Sequence, residues 1–527
     1  MLADLRHRVA AELEADETQE PCLRRFGIAG LVASLAVVAG AVAGGSSFIS
    51  RLPGAWFFGT PGGPLGFVSA SSARAPAISI LAVYGGMAAL CVIWWRLLRA
   101  LHRHPGMSVR GVVRTICAWA VPFVLAPPLF SRDVYSYAGQ GEMVTFHIDP
   151  YHYGPGVLGA TRFNLLAGPL WANTPSPYGP TFLSLDGLVT RLSDHQVLVT
   201  LFLLRGLALL GVALVAVGLP TLARGAGRDP AAVLVLGVGS PLVLATLIGG
   251  AHNDALMVGL LVAGLAAWQR FGPVPGIVLC ALAAGVKVPA ALGIIVIGWN
   301  WAPQGARLVQ RVGRTLGALG IGAATLALVS AVTGIGWGWV VTVTAPDKVS
   351  TGVTPVDAVA HVITAVLHLA GSSVPLAPVR TAVSITGVVT AVVVGTVLLW
   401  RSPQLGPIRA LGMALLVLAL LSPVLWAWYL TWGLILLAPV AQGVLRRVLI
   451  WLSVAESLIG VSAVLGLWRA AGHDGALPIA MVVVGVGAAI LTAARAPYAH
   501  VPPRPRSAPS GRDVSVSPVV SRAPVER

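Results

Sequence analysis

Charge is what this 527-residue chain has least of. Only 10% of its residues are Asp, Glu, Lys or Arg, against about 25% in a soluble domain. Too few polar side chains remain to cover a water-facing surface. With 56% hydrophobic residues and a mean hydropathy of +0.83, the sequence reads as a membrane protein of repeated apolar spans. Lysine is almost missing: Lys287 and Lys348 are the two present, and Arg supplies the rest of a basic excess of 35 over 19 acidic residues. That excess is scattered between apolar segments without a basic cluster, so membrane orientation accounts for it and nucleic acid is not an expected partner. The four cysteines, Cys22, Cys91, Cys117 and Cys280, stand singly with no CxxC or Cys/His spacing. Neither a zinc site nor a disulfide framework is supported. Residues 1–25 carry mixed charge in place of a short basic leader, so a cytosolic amphipathic helix is expected there rather than a cleavable signal.

Apolar runs able to cross a hydrocarbon core of about 30 Å lie near 26–45, 76–98, 111–130, 196–220, 231–249, 254–271, 274–287, 288–302, 315–333, 378–400, 408–422, 427–445, 448–467 and 476–494. The stretch 274–302 is too long for one span and short for two, and Lys287 and Pro289 interrupt it. Proline breaks the helical hydrogen-bond ladder. Positive-inside bias decides the count. With the N-terminus in the cytoplasm and every segment crossing, the clusters around Arg96–Arg114, Arg224–Arg228, Arg307–Arg314 and Arg446–Arg447 all fall inside. Two half-length helices meeting at Lys287 preserve that pattern; a single span would reverse every later cluster. The expected organisation is an all-α polytopic protein of 13–14 transmembrane helices. A cytosolic segment 1–25 precedes a transmembrane domain 26–495 with outer loops 46–75, 131–195 and 334–377. A Pro/Ser/Arg-rich tail, 496–527, reads as disordered and cytosolic.

Against that oily background, SRDVYSYAGQGEMVTFHIDPYHYGPG (131–156) concentrates Asp133, Glu142, Asp149 and the tyrosines Tyr135, Tyr137, Tyr151 and Tyr153. Asp133 follows the last apolar residue, Phe130, closely and should sit at the membrane boundary. A partly desolvated carboxylate there suits a general base; its plainer role would be to cap the helix that follows. Trp171 and Tyr178 extend the aromatic set, suited to interfacial anchoring or to stacking on sugar faces. NTPSPYGPTFL (173–183) is a Pro-rich loop that cannot span.

Three more polar signals fall on the same outer face. GGAHNDALM sets His252, Asn253 and Asp254 between two spans, where Asp254 could simply cap a helix. AGVKVPA sets Lys287 at a helix break close to the membrane, where a lone cation is costly and usually functional. SPVLWAWYLTWG sets Trp426, Trp428, Tyr429 and Trp432 at another outer end, where an aromatic belt is the plain alternative.

Taken together, DVYSYAGQG (133–141), DPYHYGPG (149–156), PSPYGPTFL (175–183), HNDALM (252–257), KVPA (287–290) and SPVLWAWYLTWG (422–433) resemble the actinobacterial polyprenyl-phosphate-mannose-dependent α-1,6-mannosyltransferases (MptA/MptB type) of the GT-C class. The resemblance implies a multi-pass plasma-membrane enzyme whose active site faces outward. It would transfer mannose with inversion from the lipid-linked donor to an α-1,6-mannan of lipomannan or lipoarabinomannan. The donor is then a substrate and no cofactor is needed. Without an Asp-x-Asp motif, no metal is expected. By the same resemblance Asp133 is the base. The substrate-binding set is Arg132, Tyr135, Tyr137, Glu142, Asp149, Tyr151, Trp171, Tyr178, His252, Asn253, Asp254, Lys287, Trp426, Trp428 and Tyr429. A single displacement needs positive charge at the leaving phosphate, and Lys287, Arg132 or His252 could supply it. On this reading Lys287→Met keeps the fold and loses donor use. A GT-C enzyme for another sugar (arabinosyl or protein O-mannosyl) and a multi-span lipid or sugar transporter are the alternatives; the lack of an internal repeat weighs against the transporter.

Overall fold

The computed structural model describes residues 2–43, 75–165, 167–342 and 354–462. The outer loop 46–75 (but for its last residue), the middle of the loop 334–377, the span 476–494 and the tail 496–527 lie outside the described residues.

Among the described residues every regular element is helical. In chain order these are α1 (Leu2–Ala43), α2 (Ala75–Arg103), α3 (Val109–Leu125), α4 (Asp133–Thr145), α5 (Arg162–Leu165), α6 (Pro169–Ala172), α7 (Pro180–Leu192), α8 (Val197–Gly225), α9 (Pro230–Gly237) and α10 (Asp254–Phe271). Then follow α11 (Pro273–Ala284), α12 (Ala291–Trp301), α13 (Leu308–Thr333), α14 (Trp339–Thr342), α15 (Pro355–Leu369), α16 (Leu376–Trp400), α17 (Ser402–Leu405), α18 (Pro407–Leu421), α19 (Leu430–Leu437) and α20 (Gly443–Ser462). Six of them are long and apolar enough to cross a membrane, in α1, α2, α8, α10, α13 and α16, and shorter apolar helices of 10–17 residues accompany them. The chain is an all-α polytopic membrane protein.

The break at Lys287 is as expected. α11 stops at Ala284, a 3₁₀ turn covers Val288–Ala290, and α12 continues to Trp301. Elsewhere the apolar runs mislead. The run 231–249 is not one helix: α9 ends at Gly237, a turn follows at 238–239, and Pro241 starts a new helical stretch that runs into the π-helical segment Val243–Gly249. The expected spans 427–445 and 448–467 are recut, because α19 ends at Leu437 and α20 starts at Gly443. Hydropathy cannot see such interruptions, since Gly, Ala and Pro leave the average high. The boundary placed at residue 25 also falls inside α1, which runs through it. The segment 131–195 holds two 13-residue helices, α4 and α7, packed on each other.

Close helix contact depends on glycine. Gly211 on α8 faces Ala255 and Gly259 on α10 so tightly that a Cβ on Gly211 would overlap the Ala255 carbonyl. Small residues let backbones approach in the absence of a hydrophobic drive between lipid-bathed helices. Gly206 on the same helix is exposed and has open space around it. Gly211→Val is therefore expected to lower the thermal unfolding midpoint of the detergent-solubilised protein by several degrees, with Gly206→Val close to wild type.

Candidate active site

Asp133 is the first residue of α4, and its setting is built by the turn before it. α3 ends at Leu125; Ala126–Phe130 run on to a left-handed Phe130 (φ 62°), and Ser131 Oγ accepts the Asp133 N–H at 3.1 Å. Such a φ is unfavourable for a bulky side chain and persists only where the surroundings impose it. The N-cap position belongs to Arg132, which makes no capping bond through its side chain. Asp133 is thus not the cap; its carboxyl is turned to the interior, 9% exposed. Burial holds it above the ordinary carboxylate range, against the opposing pull of His252 and Lys287.

The second strand of the site is the turn between the π-helical segment and α10. Ala251 is left-handed (φ 53°), and His252, Asn253 and Asp254 behind it are all buried. His252 Nδ1 lies 2.7 Å from the Thr246 carbonyl and Nε2 lies 3.8 Å from Asp133 Oδ2. Asn253 Oδ1 accepts the Tyr137 hydroxyl at 3.3 Å. Asp254 does not cap α10. Its carboxylate accepts both Lys287 Nζ, at 2.9 and 3.0 Å, and Trp432 Nε1 at 2.6 Å.

Lys287 is therefore not the lone cation that the sequence implied. It pairs with Asp254, and its ammonium sits 4.4 Å over the Tyr429 ring, 5.4 Å from Trp432 and 6.0 Å from Tyr178. Aromatic faces favour a desolvated cation. The Pro-rich loop 173–179 is drawn onto the same turn: Gly179 abuts Gly285, and Phe182 N–H donates to the Gly285 carbonyl at 3.2 Å.

Asp133 and Lys287 open on a cavity of about 590 Å³, with His252, Asn253 and Asp254 outside its lining. Asp133, Trp171, Tyr178, Lys287, Trp426, Tyr429 and Trp432 line its polar end. Its remaining wall is nearly all aliphatic, from α12, α16 and α18, and it includes Val392, which is 63% exposed. Along α18 the lining runs from Ala410 to Ser422 at the helix's end, about 18 Å at 1.5 Å per residue.

The other expected site residues separate from this cavity. Tyr137 packs edge-on against Tyr178 beneath the wall. Trp428 stacks between His252 and Trp426. Arg132 lies beside Gly168, near Trp171. Tyr135 is buried on the side of α4 that meets Arg205, Glu142 bonds His195 at 2.7 Å, and Asp149 accepts the Tyr151 N–H at 2.8 Å within its own turn. Tyr151 packs against Gly338. Tyr135, Glu142, Asp149 and Tyr151 make their contacts within or beneath the outer segment and are not among the residues that line the cavity. Among the described residues no three His, Cys, Asp or Glu side chains are grouped to hold a metal.

One residue of the site escapes a reading of the loops. Arg205, buried within α8, donates to the carbonyls of Val124 (2.9 Å), Ala126 and Gly249 (3.1 Å). The signal was available, since an Arg inside an apolar span is rarely idle.

A family model described as "Alpha-(1->6)-mannopyranosyltransferase, N-terminal domain" matches residues 27–303, and an "MptB C-terminal domain" model matches residues 353–496. A probable α-(1→6)-mannopyranosyltransferase of Mycolicibacterium smegmatis is 30% identical over 474 residues, covering 82% of this chain and 81% of that protein. α-(1→6)-Mannopyranosyltransferase A of Mycobacterium tuberculosis is 32% identical over 69% of this chain and 72% of its own length. α-(1→6)-Mannopyranosyltransferase B of Corynebacterium glutamicum is 28% identical over 81% and 75%. No solved structure matches. The first of these models covers more than half of the chain and takes in Asp133, the 252–254 turn and Lys287, and on that match the chain belongs to the MptA/MptB family of α-(1→6)-mannopyranosyltransferases.

Proposed function

We propose that this protein transfers mannose from polyprenyl-phosphate-mannose to an α-1,6-mannan acceptor of lipomannan or lipoarabinomannan, at the outer face of the plasma membrane, as a GT-C enzyme. The observation that carries the reading is the two-ended cavity. Its polar end, with Asp133, Lys287 and stacked aromatic rings, suits a sugar phosphate, and its long aliphatic wall suits a prenyl chain. The names of the similar proteins support the sugar and the linkage.

The chemistry is one displacement. The acceptor oxygen attacks the anomeric carbon, its proton passes to Asp133, and the bond to the phosphate oxygen breaks with inversion. An ammonium has three donors; Asp254 engages two from Lys287, leaving one for the developing phosphate charge. Trp171, Trp426 and Tyr429 offer faces for the sugar rings.

The direct test is a membrane assay with labelled polyprenyl-phosphate-mannose and short α-1,6-mannosides, with the product linkage determined. Absence of an α-1,6 product would sink the proposal. Asp133→Asn keeps the shape but cannot take the proton, so turnover is expected to fall at least ~10²-fold; near-normal turnover would remove Asp133 as base.

The structure changes what Lys287→Met should do. Removing the cation strands the fully buried Asp254 carboxylate, and a broken buried pair costs about 3–5 kcal/mol. Lys287→Met is thus expected to unfold at markedly lower temperature. Lys287→Met with Asp254→Asn should recover most of that stability without recovering turnover; recovery of both would reduce Lys287 to a structural residue.

Orientation is tested by labelling. Thr161 is exposed in the outer segment. In a cysteine-free background, Thr161→Cys should react with a membrane-impermeant maleimide from outside intact cells, and a cysteine at exposed Gly305, between α12 and α13, should not. The reverse pattern would put the cavity's polar end inside.

A further inference from the structure

The proposed displacement gives His252 no task, yet the fold holds that side chain closely. It is 1% exposed and its ring stacks on Trp428 with centroids 3.8 Å apart. A Cβ on Gly250 would press into the imidazole, so only glycine leaves it room. Nδ1 faces the Thr246 carbonyl at 2.7 Å. A carbonyl only accepts, so Nδ1 carries the hydrogen and, in the neutral ring, the Nε2 lone pair is left over. Nε2 has no hydrogen-bond partner and points across 3.8 Å to Asp133 Oδ2. Two acceptors face each other in a buried site, an arrangement that attracts only when a proton lies between them.

We propose that Asp133 and His252 form a proton-sharing pair, in which the proton taken from the acceptor hydroxyl by Asp133 comes to rest on His252 Nε2. The proposal rests on Asp133 being the base. The proton leaves the acceptor oxygen as that oxygen bonds the anomeric carbon, and the electron pair of the broken bond departs with the phosphate. The proton first bonds an Asp133 oxygen. A turn of the carboxyl about its soft χ2 brings O–H onto Nε2, leaving carboxylate and imidazolium in a charge-assisted bond. Asp133 is ionised again before the product leaves, and His252 returns its proton to water afterwards. His252 thus acts through Asp133 as a positioning residue and proton store.

The neighbouring charges permit this. Asp254 and Lys287 flank the pair and neutralise each other, while Tyr137 and Tyr178 face it as neutral phenols. Burial raises the carboxyl and lowers the imidazole, which narrows the gap between their proton affinities.

The empty pair binds its first proton on either group, so deleting the imidazole weakens proton binding and lets activity persist to lower pH. His252→Asn keeps an amide donor for the Thr246 carbonyl and removes the base at Nε2. In proteoliposomes its acid limb of kcat/KM is expected about one pH unit below wild type. Plateau turnover should fall about tenfold, with KM for the donor little changed. An unmoved acid limb would overturn the proposal, whatever the rate.

A second measurement needs no activity. In histidine-¹⁵N-labelled protein, the His252 signal, identified by its loss in His252→Asn, should titrate at lower pH in Asp133→Asn than in wild type. Identical titration in both proteins would overturn the pair. A shifted titration in a protein that transfers no mannose would leave the pair standing and remove the proposed substrate instead.

Discussion

The guanidinium of Arg205 holds the site in one piece. It lies eight residues into α8, buried, and spends its donors on main-chain carbonyls at Val124, Ala126 and Gly249. The first two end α3 and lead within nine residues to Asp133; the third ends the π-helical segment and leads within three to His252. Leu129 N–H joins the same Gly249 carbonyl at 3.0 Å. Both segments leave regular helix at this point, and carbonyls freed in a low-dielectric interior are costly unless something donates to them. Arg205 is that donor, and its planar fork suits several carbonyls at once where an ammonium would not. The left-handed Phe130 and Ala251 are the backbone's response to being tied so close together.

Beyond the clamp the site divides its labour by charge. Asp254 and Lys287 form a neutral unit walled by Tyr429, Trp432 and Tyr178, so the polar end of the cavity can be buried without stranding a charge. Ser131 and Arg132 occupy the start of α4, so the Asp133 carboxylate is not used for capping, and on the proposed reading its oxygens are left for chemistry. The long aromatic stack from His252 through Trp428 to Trp426 links the buried turn to the cavity wall through flat, stiff surfaces.

Much of this was legible in the sequence, and the parts that were not have physical reasons. Pro289 and the awkward length of 274–302 announced the two half-helices, because proline and span length are local facts. The π-helical segment was invisible: its residues are as apolar as any helix, and hydropathy has no term for hydrogen-bond register. The polar cluster in 131–156 contributes Asp133 to the cavity lining, while Glu142 and Asp149 bond elsewhere in the outer segment. At 100° per residue, Asp133 and Tyr137 share a face of α4, whereas Tyr135 lies on the opposite one. That periodicity would have set Tyr135 apart from the site beforehand. Glu142 and His195 meet across 53 positions, and Lys287 and Asp254 across 33, pairings that span spacing cannot supply. The correction to Lys287 is of this kind, since a cation looks unpaired until the distant chain is folded against it.

The exposed Val392 in the cavity wall has a consequence for how the cavity is reached. A chamber walled by α12, α16 and α18 that includes the exposed Val392 is, on the proposed reading, filled from the side, by molecules already dissolved in the bilayer. On the proposed reading, the relevant donor concentration is then a number of molecules per unit of membrane area. Adding inert lipid or detergent at constant total donor would slow the reaction, and occupancy would track the two-dimensional density of the prenyl lipid rather than its amount in the tube.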